Sequence, residues 1–379
     1  MRARRCLAWG LLSHPGHAAP LTMMISQQVT TFGAPLQRAE RATPTPQGSE
    51  VLLRTLAAGV CHSDIHVWQG SYDLGGGKRL EMGSRGVTLP LTLGHEIVGE
   101  VVAMGPDATG VQLGQRLLVY PWIGCGQCRI CQQGREHLCA KPAFLGVFRH
   151  GGYSSHVMVP HARYLIDIGS MPPAQAAPYA CSGLTAFSAI RKIDAAVLAD
   201  EPVVVIGAGG VGLMAVSLLG QLGGRPPVVI EPDASRRAAA LEAGASAAID
   251  PNAPDALAAV RAACGGAVWA VVDCVGAGRT VQMGLDLLTK GGQLVQVGLF
   301  GGDVTLSTPL VPMRAISWIG SYIGSLAELQ ALWPMVMQKR FKPVPVACRC
   351  LDEANTALHD LEHGRVVGRV VLTPEALAG

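Results

Sequence analysis

The sequence has few charged and few aromatic residues. Of its 379 residues, 15% are charged and 5% are aromatic, whereas 49% are hydrophobic. This large apolar fraction excludes a disordered chain and is sufficient for a sizeable core. The formal net charge is only +3, and the sequence contains no long run of Lys or Arg. It therefore lacks the electrostatic signature of a nucleic-acid-binding protein.

Long uninterrupted hydrophobic runs are also missing. Residues 202–224 carry no formal charge, and about 20 apolar residues would suffice to span a bilayer. Glycines interrupt this stretch directly after the apolar run 203–206, a pattern typical of a buried strand, a tight turn and a helix. The sequence therefore predicts no membrane partner.

The start of the chain, residues 1–22, differs from the rest. Three arginines and a short apolar stretch weakly imitate a secretory signal, but Met23 and Met24 stand directly before a predicted strand at 25–29. We interpret residues 1–22 as a non-native or disordered extension. The eleven cysteines, several at metal-ligand spacing, would be exposed to oxidation on export, so we expect a cytoplasmic protein.

Two sequence textures divide the remaining chain. Short β-rich runs broken by Gly and Pro predict a barrel-like, mostly antiparallel unit first; these runs include 51–54, 97–102 and 116–120. From residue 182, apolar runs alternate with helical segments, as in βαβ units around a parallel sheet; the runs include 203–206, 228–230, 270–272 and 294–297. The last stretch contains one helical pattern at 351–362 and a strand at 369–372, which we expect to pair with the first unit.

Four cysteines lie close together in one loop: Cys125, Cys128, Cys131 and Cys139. Four thiolates can hold Zn²⁺ tetrahedrally at Zn–S distances of about 2.3 Å. An iron–sulfur cluster is the rival interpretation, but in bacterial ferredoxin runs three residues precede the fourth Cys and Pro follows it. Here seven residues precede it, which favours zinc. Because four thiolates leave no open coordination position, this site is predicted to be structural.

A second candidate metal set is dispersed along the chain and consists of Cys61, His95 and Cys181. Two cysteines and one histidine are a known catalytic zinc set, which keeps a fourth position open. Taken singly, a histidine such as His95 is more often a hydrogen-bonded core residue, and Cys181 more often a small buried hydrophobe. The set gains weight in combination with the other motifs.

A glycine-rich turn follows a predicted strand and opens a predicted helix at 213–222; its residues are Gly207, Ala208, Gly209, Gly210, Val211 and Gly212. Such glycines allow a tight turn, a close approach of a pyrophosphate and close packing of helix on strand. The helix N-terminus then attracts phosphate. Glu231 follows the next strand, where a carboxylate accepts hydrogen bonds from ribose hydroxyls. This favours NAD over NADP, although Arg236 and Arg237 nearby could serve a 2′-phosphate.

In their order and spacing, these motifs resemble those of the zinc-dependent medium-chain alcohol dehydrogenases, over nearly the whole of residues 24–374. The shared segments are residues 94–99, the four-cysteine loop, residues 181–186 and the glycine-rich turn. The resemblance implies an α/β fold in which a GroES-like, β-rich catalytic domain comprises 23–181 and 325–379. A Rossmann coenzyme domain with a doubly wound parallel sheet comprises 182–324, and the active site lies in the cleft between the two domains.

The same resemblance implies an enzyme that reversibly oxidises a primary or secondary alcohol to an aldehyde or ketone with NAD. It implies two Zn²⁺ per chain, one catalytic and one structural, and a small-molecule alcohol or aldehyde as substrate. It also implies a homo-oligomer, with a tetramer favoured over a dimer because tetramers are usual for bacterial members.

Residue by residue, the dispersed set matches the catalytic zinc ligands of the family, and the four-cysteine loop matches the structural ones. Ser63 matches the hydroxyl that contacts the substrate oxygen, and His66 the proton-relay base. Asp64 matches the carboxylate that orients the histidine ligand, and Glu96 the acid behind the metal.

Two further matches concern the cofactor. His62 corresponds to a neighbour of the pyrophosphate, and Arg369 to a contact of the cofactor phosphate. Together with the glycine-rich turn, Glu231 and Arg236, these residues form the predicted cofactor-binding set.

The chain departs from simple ethanol enzymes of the family at 71–91, a longer segment that contains three consecutive glycines followed by Lys78 and Arg79. In this segment it resembles bacterial members related to 6-hydroxyhexanoate dehydrogenase, which suggests a longer or ω-hydroxy acid substrate. Lys78, Arg79 and Arg85 could attract a carboxylate, but loop bases are usually only solvated. A zinc-free quinone reductase of the same fold and a non-catalytic NAD- or zinc-binding protein are the alternatives.

The last candidate metal ligands are His359 and His363, which lie four residues apart in the sequence. His359 lies on the predicted helix at 351–362, and His363 directly follows this helix. Such a pair could hold a metal ion. Asp360 and Glu362 beside the two histidines favour instead a solvated helix face.

Overall fold

The computed structural model describes residues 23–338 and 340–374, so the prediction for residues 1–22 lies outside the described residues. Strands of the first half are β1 (Met23–Val29), β2 (Gln37–Ala42), β3 (Val51–Val60), β4 (Ser71–Gly75), β5 (Lys78–Glu81), β6 (Leu91–Thr92), β7 (Glu96–Met104), β8 (Arg116–Val119), β9 (His156–Val159) and β10 (Leu165–Asp167). Strands of the second half are β11 (Val204–Ile206), β12 (Val228–Ile230), β13 (Ala247–Ile249), β14 (Ala270–Asp273), β15 (Gln293–Gln296), β16 (Ser317–Gly320), β17 (Val346–Cys350) and β18 (Arg369–Thr373).

Helices connect these strands. They are α1 (His62–Gln69), α2 (Arg129–Gln132), α3 (Pro173–Ala176), α4 (Ser182–Ile190), α5 (Ala195–Asp200), α6 (Gly210–Leu222), α7 (Ala234–Ala243), α8 (Ala256–Ala263), α9 (Gly278–Leu287), α10 (Leu310–Arg314), α11 (Leu326–Met337) and α12 (Ala354–Glu362). Within the described part of the chain, none of them combines the length and the apolar character that crossing a bilayer requires.

Strands β3 and β7 to β10 form a mostly antiparallel sheet together with β17 and β18, as predicted. Its strand order is β10-β8-β7-β3-β18-β17, and β9 also pairs with β3. The predicted return of the chain end is confirmed, because Val370, Val371 and Leu372 of β18 lie antiparallel to residues 58–60 of β3. Strand β18 is thereby built into the same sheet as β3 and β7.

Strands β11 to β16 form a six-stranded sheet in the order β13-β12-β11-β14-β15-β16. All of its pairs are parallel, which confirms the predicted doubly wound sheet. Side chains alternate between its two faces, as the period of two in a strand requires. Val205 and Val229 join the large core shared with the antiparallel sheet, whereas Val204 and Ile206 join a smaller core on the other face.

This strand order places the glycine-rich turn where a ligand is expected. The order reverses between β11 and β14, and open α/β sheets bind ligands in the crevice at the carboxyl ends of strands at such a point. The turn follows β11 directly, and α6 begins within it at Gly210. The predicted start of this helix at 213 was therefore three residues late.

The last stretch contains more structure than expected. Besides α12, it holds α11 and β17, so the prediction of a single helix was wrong. A capping box marks the start of α11, since the Ser325 hydroxyl accepts from the Glu328 N–H at 3.2 Å and the Glu328 carboxylate accepts from the Ser325 N–H at 2.7 Å. This Ser-x-x-Glu signal was present in the sequence.

Candidate active site

Antiparallel pairing brings Cys61 and His95 together. Cys61 follows the end of β3 and His95 precedes the start of β7, and the register of these two strands places Gly59 opposite Glu96. A Cβ atom at Gly59 would collide with the Glu96 side chain, so glycine is required at this position of β3, opposite the first residue of β7. The local strand register therefore unites two residues that are 34 positions apart in the sequence.

Glu96 also positions the third member of the set. Its Oε1 accepts a hydrogen bond from the backbone N–H of Ser182 at 3.3 Å, directly after Cys181 at the start of α4. Cys61, His95 and Cys181 are all buried, and their ligand atoms lie within 4.8 Å of one another. The dispersed set predicted from the sequence is thus one cluster.

The geometry of this cluster fits a zinc ion. Tetrahedral coordination at a Zn–S distance of about 2.3 Å separates two sulfurs by about 3.8 Å, and the two Sγ atoms of Cys61 and Cys181 lie 3.9 Å apart. Nε2 of His95 is buried without a hydrogen-bond partner among the described residues. A buried, unpaired imidazole nitrogen is costly, and a metal ion would satisfy it.

The two thiols share their charge unequally. Contact with the Cys181 thiol holds the pKa of Cys61 well below its usual range, and the same contact raises the pKa of Cys181. Since the thiolate is the metal-ligating form of cysteine, the cluster already favours one of the two deprotonated ligands.

Asp64 holds both the cluster and α1 in place. Its Oδ2 accepts from the Cys61 N–H at 2.9 Å and from the Tyr153 hydroxyl at 3.1 Å, and its Oδ1 accepts from the Gly94 N–H at 3.1 Å. Oδ1 also lies 3.2 Å from Nδ1 of His95. The carboxylate thereby orients the imidazole so that Nε2 faces away from it, as in sites where a carboxylate supports a histidine ligand.

Ser63 and His66 occupy successive turns of α1, and both are half-buried. The His66 ring stacks on Tyr72 of β4, with 4.4 Å between ring centroids. Burial lowers the pKa of His66, opposed by the charge on Cys61. A neutral imidazole three residues from a hydroxyl on the same helix is suited to accept a proton at neutral pH.

The two carboxylate oxygens of Glu96 have different partners, because the second pairs with Arg369. Nη2 of Arg369 lies 2.5 Å from Oε2 of Glu96, and both side chains are buried. The guanidinium also packs against the glycine-rich turn, where a Cβ atom at Gly210 would collide with it. Arg369 thus connects the metal-ligand cluster to the turn that was predicted to bind the cofactor.

The glycine-rich turn has the shape that a pyrophosphate requires. Gly207 adopts a φ of 90°, and a Cβ atom at Gly212 would collide with the Gly207 carbonyl oxygen. A Cβ atom at Gly209 would meet nothing within 4 Å. Gly207 and Gly212 are therefore needed by the fold itself, whereas Gly209 leaves an open space next to the backbone at the N-terminus of α6.

The remaining predicted cofactor residues are Val211, His62, Glu231 and Arg236. Val211 is half-buried in the first turn of α6, and the ring of His62 lies 5.3 Å from that of Phe300. Glu231 is buried at the end of β12 and accepts from the Ala208 N–H at 2.7 Å. The guanidinium of Arg236 donates to the Gly364 carbonyl at 2.7 Å.

The four-cysteine loop also closes into one cluster. The ligand atoms of all four cysteines lie within 4.8 Å of one another, with Sγ–Sγ distances of 3.5 Å for Cys128–Cys131 and 3.9 Å for Cys125–Cys131 and Cys128–Cys139. These distances match the separation of about 3.8 Å expected around a tetrahedral Zn²⁺. Backbone N–H groups of Gln127 and Cys128 lower the pKa of Cys125 to about 6, which prepares a thiolate at neutral pH.

Several residues near the metal-ligand cluster were not singled out from the sequence. The Trp122 ring lies 5.1 Å from that of His95. Burial raises the pKa of Tyr72, and the charge on Cys61 adds to this rise. Burial likewise raises the pKa of Tyr322, and the charge on Cys181 adds to it. The positive charge of the exposed Arg85 opposes both shifts. Aromatic residues carry no motif, and only the fold reveals that these surround the cluster.

Two family models match the chain. The alcohol dehydrogenase GroES-like domain matches residues 47–170, and the zinc-binding dehydrogenase model matches residues 210–338. The first match covers most of the antiparallel unit, including Cys61, His95 and the whole four-cysteine loop. The second covers most of the parallel sheet.

The chain is also similar to individual dehydrogenases. An NAD-dependent alcohol dehydrogenase of Sulfurisphaera tokodaii is 36% identical over 353 residues, which cover 93% of this chain and all of that protein. The structure of the alcohol dehydrogenase from the archaeon Aeropyrum pernix is 29% identical, with a TM-score of 0.83 over 92% of this chain and all of that chain.

A cobalt- and zinc-bound thermostable alcohol dehydrogenase from Pyrobaculum aerophilum is 28% identical, with a TM-score of 0.79 over 93% of this chain and all of that chain. These matches extend over nearly the whole described chain. They agree with the converging metal ligands and with the glycine-rich turn. This chain belongs to the zinc-dependent medium-chain alcohol dehydrogenase family.

Proposed function

We propose that the chain catalyses the reversible, NAD-linked oxidation of a primary or secondary alcohol to an aldehyde or ketone. The observation that carries this proposal is the buried cluster of Cys61, His95 and Cys181, which offers three protein ligands and keeps a fourth position for a substrate. Its connection through Glu96 and Arg369 to the glycine-rich turn supports a shared site for substrate and cofactor.

The chain's own residues hold the reactants and move a proton. Zn²⁺ held by the cluster would act as a Lewis acid on the alcohol oxygen, and bound NAD would accept the hydride. Ser63 contacts the substrate oxygen and passes the alcohol proton towards His66. The lowered pKa of His66 keeps its ring neutral, so that it can accept this proton at neutral pH. Asp64 orients His95 throughout, and the catalytic role of Glu96 is to position Cys181 and Arg369.

For the cofactors, we propose one catalytic Zn²⁺ and one structural Zn²⁺, the latter in the four-cysteine cluster. The glycine-rich turn, His62 and Arg369 bind the phosphates of NAD, and Glu231 binds the ribose. The position of Arg236, whose guanidinium donates to a backbone carbonyl, supports NAD over NADP, because a 2′-phosphate would have to draw it away. Arg236 then borders the adenosine part of the site.

For the substrate, we propose a longer alcohol or an ω-hydroxy acid, as in the branch related to 6-hydroxyhexanoate dehydrogenase. The segment 71–91 forms the hairpin of β4 and β5 and the turn Gly83–Arg85. The positive charge of Arg85 lowers the pKa values of Tyr72 and Tyr322, which also interact with Cys61 and Cys181, respectively. Its guanidinium is therefore the candidate partner for a terminal carboxylate, whereas Lys78 and Arg79 extend from the exposed strand β5.

We further propose the domain limits 23–181 with 325–379 and 182–324, a cytoplasmic location and a homo-oligomer, a tetramer rather than a dimer. The oligomer is supported by exposed hydrophobic residues next to β16, an edge strand of the parallel sheet. Edge strands with apolar side chains are ready to pair with another chain. These exposed hydrophobic residues include Leu299, Leu310, Met313 and Trp318.

The test combines metal content with substrate specificity. Purified protein should contain about two zinc ions per chain and reduce NAD⁺ with alcohols, with kcat/KM rising along a series of ω-hydroxy acids of increasing length. Arg85→Gln should raise KM for the ω-hydroxy acids and leave KM for matched 1-alkanols unchanged, and Arg79→Gln should change neither. A quinone reductase would turn over without zinc, and a binding protein would not turn over at all; either result would contradict the proposal.

A further inference from the structure

The C-terminal end of α12 carries a third cluster of possible metal ligands, separate from the two cysteine sites. His359, Glu362 and His363 each place a ligand atom within 4.8 Å of the other two. The helix brings the two imidazole rings to a centroid distance of 4.0 Å. We propose that these three residues bind a divalent transition-metal cation, such as Zn²⁺ or Ni²⁺, at the protein surface. This inference does not depend on the proposed function.

Hydrogen bonding leaves the His363 ring in a ligand-ready form. Its Nδ1 lies 2.8 Å from the His359 carbonyl oxygen. A carbonyl can only accept, so Nδ1 carries the proton in this bond and Nε2 keeps a free lone pair. Metal-ligating histidines commonly donate their other N–H to a backbone carbonyl in this way.

The carboxylate of Glu362 is held beside both histidine rings. Its Oε1 accepts from Nε2 of Gln69 at 2.6 Å, while its Oε2 lies 3.6 Å from Nδ1 of His359 and 3.7 Å from Nδ1 of His363. Ligating carboxylates are typically fixed by such a hydrogen bond on the second oxygen. Gln69 is therefore a positioning residue for the site.

The surrounding charges favour a cation. His363 is the C-cap of α12, and the C-terminal end of a helix carries partial negative charge. Of the three guanidinium groups near this helix end, those of Arg349 and Arg365 are paired with Asp360, at 2.7 Å and 2.8 Å. The guanidinium of Arg236 donates to the Gly364 carbonyl at 2.7 Å.

The donor set decides the class of metal. Two imidazoles and one carboxylate suit Zn²⁺, Ni²⁺ or Cu²⁺, whereas Mg²⁺ and Ca²⁺ prefer sites made of oxygen ligands. The side chains of His359 and His363 are 57% and 46% exposed, so water can complete the coordination. The site therefore differs from the buried catalytic cluster and should exchange its ion readily.

The position of the site gives a structural consequence. Gln69 is the last residue of α1, and Gly364, next to His363, holds the guanidinium of Arg236 on α7. An ion at the cluster would bind ligands from α12 and its C-cap, and it would fix the Glu362 carboxylate that accepts from Gln69 of α1. We expect it to raise the thermal stability of the zinc-loaded enzyme, because a ligand that binds the folded state stabilises it.

The test is a calorimetric titration with NiCl₂, in a non-chelating buffer, of the full-length, untagged enzyme that has been freed of readily exchanging zinc and keeps zinc in its two cysteine-containing clusters. The unchanged enzyme should bind about one more equivalent of Ni²⁺ than the double variant His359→Gln/His363→Gln. Gln69→Ala should weaken this binding by about tenfold or more, as loss of a supporting hydrogen bond does in metal sites. The matched control is His161→Gln, which removes an exposed histidine and should leave binding unchanged.

A melting experiment gives a second readout. Adding Ni²⁺ should raise Tm in the unchanged enzyme and in His161→Gln, but not in the double variant. Binding at other surface histidines contributes equally to the unchanged enzyme and to the double variant. Equal Ni²⁺ stoichiometry in the double variant and the unchanged enzyme, or no Ni²⁺ binding to either, would overturn the proposal.

Discussion

Arg369 and Glu96 form a buried ion pair, with 2.5 Å between Nη2 and Oε2. The pair joins the last strand of the chain to the residue that follows the metal ligand His95. On one side, Glu96 accepts from the N–H that follows Cys181; on the other, Arg369 packs against Gly210 in the glycine-rich turn. One interaction thus aligns the metal cluster, the chain end and the cofactor turn.

Removing one partner of this pair should be severely destabilising. Arg369→Met leaves the Glu96 carboxylate buried and unpaired, which we expect to lower the free energy of unfolding by about 3–5 kcal/mol. The double variant Arg369→Met/Glu96→Met should recover much of this loss. Urea denaturation measures both. As a control, Arg38→Met breaks an exposed pair at 2.7 Å and should cost less than about 1 kcal/mol.

Gly209→Ala should separate cofactor binding from folding. The added Cβ atom meets nothing within 4 Å in the protein, so the melting temperature should hardly change. It would occupy the space left for the pyrophosphate, and we expect KM for NAD⁺ to rise by about tenfold or more, equivalent to about 1.4 kcal/mol. Gly220→Ala, which also meets nothing within 4 Å but lies late in α6, should leave KM unchanged. Unaltered KM in Gly209→Ala would exclude this turn as the phosphate site.

The pH dependence of alcohol oxidation should report the state of His66. Burial lowers its pKa from the ordinary value of 6.5, so the ring is neutral and able to accept a proton above that lowered pKa. The rate should therefore fall as pH drops through a value below 6.5. His66→Gln should lower kcat by about 10²–10⁴-fold and abolish this acid limb. A profile of kcat against pH measures both effects, and His161→Gln should keep the limb.

Cys128→Ser should remove one metal ion without removing the active site. The four-cysteine cluster would lose a thiolate ligand, so the zinc content should fall by about one ion per chain and the melting temperature should drop, since structural zinc contributes directly to folding. Cys264→Ser is the matched control, because Cys264 is a buried free thiol outside both clusters. Zinc analysis by plasma emission and thermal melting distinguish the two. Full zinc content in Cys128→Ser would contradict a metal at this loop.

Glu231→Gln should relax the choice of coenzyme. The variant keeps an oxygen for the Ala208 N–H, which Glu231 accepts at 2.7 Å, but it removes the charge that repels a 2′-phosphate. We expect the ratio of kcat/KM for NAD⁺ to that for NADP⁺ to fall by about tenfold or more, or about 1.4 kcal/mol. Glu242→Gln, on the exposed face of α7, should leave the ratio unchanged.

Motifs with a fixed local geometry could be predicted well from the sequence. The buried strand before the glycine-rich turn and the strand before Glu231 were found because their residues are all apolar and β-branched. The two edge strands of the same sheet, β13 and β16, were missed. Their burial patterns are only intermediate or exposed, and edge strands lack the apolar signature of central ones.

The candidate site shows the same division. The spacing of Cys125, Cys128, Cys131 and Cys139 places four thiols in one short loop, so their convergence is a local property. The contacts of Trp122, Tyr72 and Tyr322 around the catalytic cluster could not be found in this way, because aromatic residues are usual in cores and their neighbours come from distant segments.

The sequence by itself determined the central strands of the parallel sheet, the glycine-rich turn and the chemical nature of each ligand, because these depend on neighbours within a few residues. Tertiary structure alone decided that Cys61, His95 and Cys181 share one point in space and that Arg369 reaches Gly210. It also brought Gln69 of α1 to Glu362 of α12. Such meetings depend on strand register and helix packing, in which long-range contacts compensate the entropy of closing large loops.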